Sequence, residues 1–261
     1  MRALSIAASG MQAQQLNVDV ISHNIANMNT TGFKRQRAEF QDMLYQNMER
    51  PGSTSSASGS VLPLGIQLGV GVRTDAVGRI TEQGSITATQ NPYDLAINGR
   101  GYFQVTMPSG QTGYTRAGNL AVNADGQMVT ADGYAIEPSI TVPAEATAIS
   151  ISRDGLVEVT LAGQTDPQQI GQLEIANFIN PAGLEGIGDN LFLETPASGT
   201  ATTATPGSPG FGTLMQGFLE LSNVNAVEEI SSLIVAQRAY EMNARVITAA
   251  DEMLQSTTQL R

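Results

Sequence analysis

Apolar side chains recur every seven residues at Leu4, Met11, Val18 and Ile25, and Ala7, Ile21 and Met28 fill positions three further on. Gln14 alone breaks the second row. This is a heptad seam, and it predicts an amphipathic helix that ends near Asn27–Thr31, before Gly32. A second run at spacings of three and four joins Ile230, Leu233, Tyr240, Ala244, Ile247 and Leu254, with polar breaks at Gln237 and Asp251. Asn225 and Glu228 form a capping-box arrangement ahead of it, and Glu241 precedes Arg245 by four, a favourable surface pair. A helix from Ala226 to Thr258 at ~1.5 Å per residue is about 50 Å long. Isolated helices of this kind are marginal in water, so each stripe needs a partner: the other terminal helix, a neighbouring copy, or both.

Between the helices the period changes to two. Tyr102–Val105, Leu120–Val122, Tyr134–Ile136, Ala148–Ile151, Leu156–Val159 and Leu173–Ile175 read as short strands, and Thr213–Leu221 as a further one. Asp125-Gly126, Asp132-Gly133 and Asp154-Gly155 separate such runs and supply the positive φ of tight turns. Leu64, Ile66 and Leu68 alternate with polar or glycine positions over Leu64–Ser85, as an extended hairpin does. Residues 51–60 and 197–210 are low-complexity loops or linkers. The fold class is therefore α+β: terminal helices pairing as a coiled coil, with an inserted antiparallel β-rich region and a long extended β-hairpin. The expected domains are 1–32 with 224–261 (helical), 33–90 with 203–223 (connecting β structure with the ribbon) and 91–202 (outer β domain).

Composition sharpens this division. All 11 prolines, and every glycine but Gly10, Gly32 and Gly217, lie within residues 51–213, which leaves both ends free of helix breakers. That middle holds five basic and fourteen acidic residues, net −9 of the chain's −11. Such a charge disfavours nucleic acid and anionic lipid. Only 14% of the 261 residues are charged, below the usual quarter, which points to surface buried against something else. No apolar run is long enough to span a bilayer, and glutamines interrupt the start before a signal-peptide core is complete, so if the chain leaves the cytoplasm it is expected to need a route without a cleaved signal.

The search for chemistry yields no catalytic, cofactor-binding or metal-ligating candidate. There is no Cys, hence no thiolate site. The single His, His23, has no ligand-type residue at metal spacing. Gly65, Gly69 and Gly71 are not followed by the Lys-Ser/Thr of a phosphate loop. The Asp-Gly pairs lack the acidic ladder of a calcium loop.

One motif is specific. Asn24, Ala26, Asn27, Asn29, Thr31, Gly32, Phe33 and Lys34, within Ser22–Lys34, resemble the Asn-rich element that closes the first helix of flagellar rod and hook axial proteins, with His23 at a position usually occupied by Asn. Arg37–Gln46 is similar to the distal-rod type of that family. Asn91–Phe103, Tyr114–Leu120, Leu219–Asn225 and Gln237–Glu241 resemble further family blocks in the same order along the chain.

The resemblance implies a structural protein whose helices form an inner layer around an export channel, with the β domain facing outward. It also implies export through the flagellar apparatus, polymerisation in the periplasm, other rod and hook subunits at the ends, P and L rings around it, and torque passed to the hook. In that family a long extension in this region bridges adjacent subunits, and Arg50–Ser85 is expected to do so here and to stiffen the tube. Leu4, Met11, Val18, Ile21, Ile25, Ile230, Leu233, Tyr240, Ile247 and Leu254 are the expected assembly residues. A proximal rod or hook subunit, or a secreted β-domain binding protein with helical tails, are the alternatives.

Overall fold

The computed structural model describes residues 2–49, 65–164 and 166–259. It has an α+β architecture with a helix near each end and antiparallel β structure between. The chain separates into two compact units: residues 1–25, 36–78 and 225–261, and residues 26–35 with 79–224.

The first unit contains helix α1 (Arg2–Ala26) and helix α2 (Ala226–Gln259). Helix α2 begins where expected because Asn225 Oδ1 accepts the Val227 N–H at 3.1 Å, satisfying one of the orphan donors of the first turn. Four strands join the helices: β1 (Gln36–Asp42), β2 (Tyr45–Glu49), β3 (Ile66–Gly69) and β4 (Val72–Arg79). Strands β2 and β3 pair antiparallel, with Tyr45 opposite Gly69 and Gln46 opposite Leu68, while β4 pairs with β1. The alternation read from Ile66 and Leu68 is thus strand structure. The low-complexity segment 51–60, and Leu64, lie outside the described residues.

In the second unit, Tyr102–Thr106 pairs with Thr112–Thr115 on one side and Ala135–Glu137 on the other, and with Ile175–Asn177 near its start. A three-stranded sheet of Ala146–Ile151, Leu156–Leu161 and Gln168–Gln172 adds a second layer of contacts. The shared core includes Phe103, Val105, Val157, Leu173 and Ile175, each with no exposed surface. Burial of that apolar area, at about 25 cal/mol per Å², is the main driving force for this unit. The three Asp-Gly glycines carry φ of 80°, 86° and 82°, the left-handed turns their sequence signals.

Two strand readings need correction. Leu173 and Glu174 belong to no strand: the Leu173 side chain is buried and its N–H is taken by Gly155 O at 2.7 Å, outside any ladder. Thr213–Leu221 is two strands, Thr213–Gln216 and Phe218–Glu220, broken where Gly217 adopts φ 77°. The first pairs with Leu95–Asn98 and the second with Ile86–Ala88, so the last β segment of the unit closes on the first.

Candidate assembly site

Two contacts define how the helices of the first unit meet. A Cβ placed on Gly10 would lie 2.9 Å from Asn243 Nδ2. Asn24 Nδ2 donates to Glu229 Oε2 at 3.2 Å. From Gly10 to Asn24 the chain advances by as many residues as it retreats from Asn243 to Glu229, so the helices run antiparallel in one register. Ala7, Ala13, Val20, Ile21 and Asn24 on α1 and Glu229, Ala236 and Ala250 on α2 are buried, so small and polar residues make up much of the buried face beside Val20 and Ile21. Small residues let helix backbones approach closely, and a polar pair fixes register.

The expected assembly residues divide by exposure. Ile21 is buried; Leu4, Met11, Val18, Ile25, Leu233 and Ile247 are half-buried. Ile230, Tyr240 and Leu254 stay exposed, at 49%, 44% and 37%. On and beside strands β2 and β3, Leu44, Tyr45, Met48, Ile66 and Leu68 are exposed.

The Asn-rich motif closes α1 and turns the chain. Ala26 ends the helix, and Asn24 binds the chain beyond the turn with both ends of its amide: Oδ1 accepts the Gln36 N–H at 2.9 Å and Nδ2 donates to Gln36 O at 2.8 Å. Thr30 N–H and Oγ1 both return to Asn27, and Phe33 N–H bonds Thr30 O. Asn29 is exposed, whereas Thr31 O accepts from Asn190 Nδ2 at 3.4 Å. Gly32 has φ 70°, and its N–H donates to Glu220 O at 2.8 Å; a side chain there would also meet the Arg116 backbone.

Lys34 enters a buried ionic cluster that the sequence pattern did not single out. Its Nζ donates to Glu220 Oε1 at 2.5 Å and to Glu82 O at 2.8 Å. Arg116 Nε donates to Glu220 Oε2 at 2.6 Å, while its other nitrogens bond the carbonyls of Ile97, Gly99 and Gly101. The three side chains are 4%, 1% and 5% exposed for Lys34, Glu220 and Arg116. Burial alone would raise the Glu220 pKa. The charge of Arg116, the hydrogen bond and charge of Lys34 and the Gly84 N–H reverse this and hold it below the ordinary carboxylate value. Burial lowers the Lys34 pKa against the pull of that same carboxylate, which it shares with Arg116. Asn223 completes the junction: its Oδ1 accepts the Arg35 N–H at 2.7 Å and its Nδ2 donates to Ile80 O and Glu82 O. Three resemblance blocks that are far apart in the chain therefore meet through Lys34, Arg116 and the Glu220–Asn223 segment.

Among the described residues, no group of three or more His, Cys, Asp or Glu side chains is placed to hold a metal ion. No helix among them is long and apolar enough to cross a membrane.

Comparison with known proteins covers both ends and the centre of the chain. Residues 4–34 match the model of flagella basal body rod proteins, 96–159 the D1 domain of flagellar hook proteins FlgE/F/G, and 215–260 the C-terminal domain of flagellar basal body rod FlgEFG proteins. A flagellar basal-body rod protein FlgG of Caulobacter vibrioides is 63% identical over 261 residues, all of both chains. That of Agrobacterium fabrum is 52% identical, covering 97% of each chain, and that of Buchnera aphidicola subsp. Baizongia pistaciae 48% identical, covering 99% of each.

Proposed function

The chain belongs to the flagellar basal-body rod protein family, in its FlgG group, and is a structural rod subunit; from that premise we propose that it self-assembles into a rigid helical tube. The tube encloses an export channel and passes torque from motor to hook. The observation that carries this reading is the surplus of apolar surface on α2 and on the β2–β3 ribbon, left exposed in the single chain. Two different sticky faces on one subunit add head to tail, and an open helix results when the rotation does not close.

In this reading α1 and α2 form a coiled-coil-like pair, and Leu4, Met11, Val18, Ile25, Ile230, Leu233, Tyr240, Ile247 and Leu254 bury themselves partly in that pair and partly against neighbouring copies. The paired strands β1–β4 and β2–β3 act as one long ribbon that reaches an adjacent subunit and stiffens the tube. The acidic β region faces outward toward the P and L rings. Other rod and hook subunits meet the two ends, the flagellar export apparatus delivers the chain to the periplasm, and no catalysis is involved. Sedimentation velocity over a concentration series tests the core of the proposal. It predicts growth from monomer to large polymers, and a variant with Ile230→Ser and Leu254→Ser that stays monomeric with its helices intact; equal polymerisation by that variant contradicts the assignment of those faces.

A further inference from the structure

Lys34 and Arg116 of the buried ionic cluster border a cavity of about 190 Å³ in the second unit, which Arg100, Tyr102 and Asn177 also line. Acidic residues outnumber basic ones in this chain by 24 to 13, yet three of the 13 meet at this cavity, and no Asp or Glu is among the described residues that line it. The cluster itself is not neutral, because Lys34 and Arg116 share the single carboxylate of Glu220. Its hydrogen bonding is also incomplete. Arginine carries five N–H donors and lysine three. Arg116 gives four, to Glu220 and to the carbonyls of Ile97, Gly99 and Gly101, and Lys34 gives two, to Glu220 and to Glu82 O. Each keeps one donor over. Arg100 stands between Gly99 and Gly101, whose φ of 111° and 143° suit glycine. Arg116 holds both of their carbonyls, and the Gly212 N–H bonds Arg100 O at 2.7 Å. This turn is thereby fixed, and it carries an exposed guanidinium that has no ion pair among the described residues.

We propose that this cavity binds a small oxyanion of the phosphate class. A cleft whose low-dielectric walls carry one sign of charge concentrates the field inside it. The guanidinium fork of Arg100 matches a pair of phosphate oxygens, and the remaining donors of Lys34 and Arg116 supply further charge-assisted hydrogen bonds. The space is ample, since a single water needs only ~10–15 Å³ on the same measure. A bound anion balances the positive charge that Glu220 leaves over, which a buried cluster otherwise carries at a cost. Binding here needs no second copy of the chain, so it holds or fails independently of self-assembly.

Equilibrium dialysis of the dilute full-length chain against radiolabelled inorganic phosphate, at fixed ionic strength, tests the site. One phosphate per chain is expected to bind saturably. Unlabelled sulfate and acetate, both oxyanions, are expected to displace it, and chloride at the same ionic strength is not. Arg100→Gln changes an exposed side chain and is expected to raise the Kd at least about tenfold with an unchanged circular dichroism spectrum. Arg153→Gln removes an equal charge from an exposed position outside the cavity and is expected to leave the Kd as it was. Absence of saturable binding, displacement by chloride as strong as by sulfate, or equal weakening by the two arginine substitutions overturns the proposal.

Discussion

Arg116 Nε and Glu220 Oε2 lie 2.6 Å apart although 104 residues separate them along the chain. With Lys34 on the other carboxylate oxygen, this contact makes Glu220 the point where the N-terminal motif, the start of the β structure and the last β strand are joined. A buried charge that loses its partner is costly, even though an intact buried pair contributes little over a hydrophobic substitute. Glu220→Gln leaves two buried cations facing a neutral amide, and is expected to destabilise by about 3–5 kcal/mol. Urea unfolding monitored on the β region reads this directly. A loss of under about 1 kcal/mol, the scale of an exposed pair, contradicts the role given to Glu220.

The pH response follows from the same carboxylate. The Glu220 pKa in the fold is below its ordinary value, with Arg116 and Lys34 overcoming the effect of burial. The folded state therefore binds fewer protons than the unfolded chain between those two values. The stabilisation is complete above the ordinary carboxylate pKa and is lost as pH falls through the lowered one. Thermal unfolding of the parent should weaken over this acid window, and Glu220→Gln should show a shallower acid slope. Identical slopes exclude Glu220 as a source of the acid sensitivity.

Asn24 serves a different junction. It holds Gln36 by two hydrogen bonds and reaches Glu229 across the helix pair. Asn24→Leu removes all three and strands the polar groups of Gln36, at a cost of about 1–3 kcal/mol. Amide hydrogen exchange is expected to quicken at the end of α1 and the start of α2, while the β core keeps its protection. Unchanged exchange at both helix ends contradicts this.

Gly10 reports on how closely the helices pack. A single added methyl faces only the end of the Asn243 side chain, which can turn aside. Gly10→Ala is therefore expected to be nearly neutral, because helix propensity favours Ala by up to ~1 kcal/mol. Gly10→Leu has no such room and should lower the helix-pair melting temperature. The reverse order of stability contradicts the close approach.

How much of this was legible in the sequence depended on whether the signal was local. The ends of α2 followed from the Asn225 cap and the absence of breakers, and the Asp-Gly turns announced their own backbone angles. The inner face of the helix pair was harder, because a search for large apolar residues ranks Ile230 and Leu254 above Ala236 and Ala250, which are the more buried. Close helix contact favours small side chains, which carry almost no hydrophobic signal. The cluster of Lys34, Arg116 and Glu220 had no periodicity to betray it, since its members come from three distant segments. Their only common mark was that each sits in a block resembling the flagellar rod and hook family. Strands β1 and β2 escaped notice because their sequence, Gln36–Glu49, mixes polar and apolar residues without clean alternation.

The central claim is self-assembly through the terminal helices. Negative-stain electron microscopy of the concentrated full-length chain, beside a chain lacking residues 226–261, tests it most directly. The account predicts straight tubes or rods from the first and none from the second. A full-length chain that remains monomeric with both helices protected from hydrogen exchange, or truncated chains that still form rods, would contradict it.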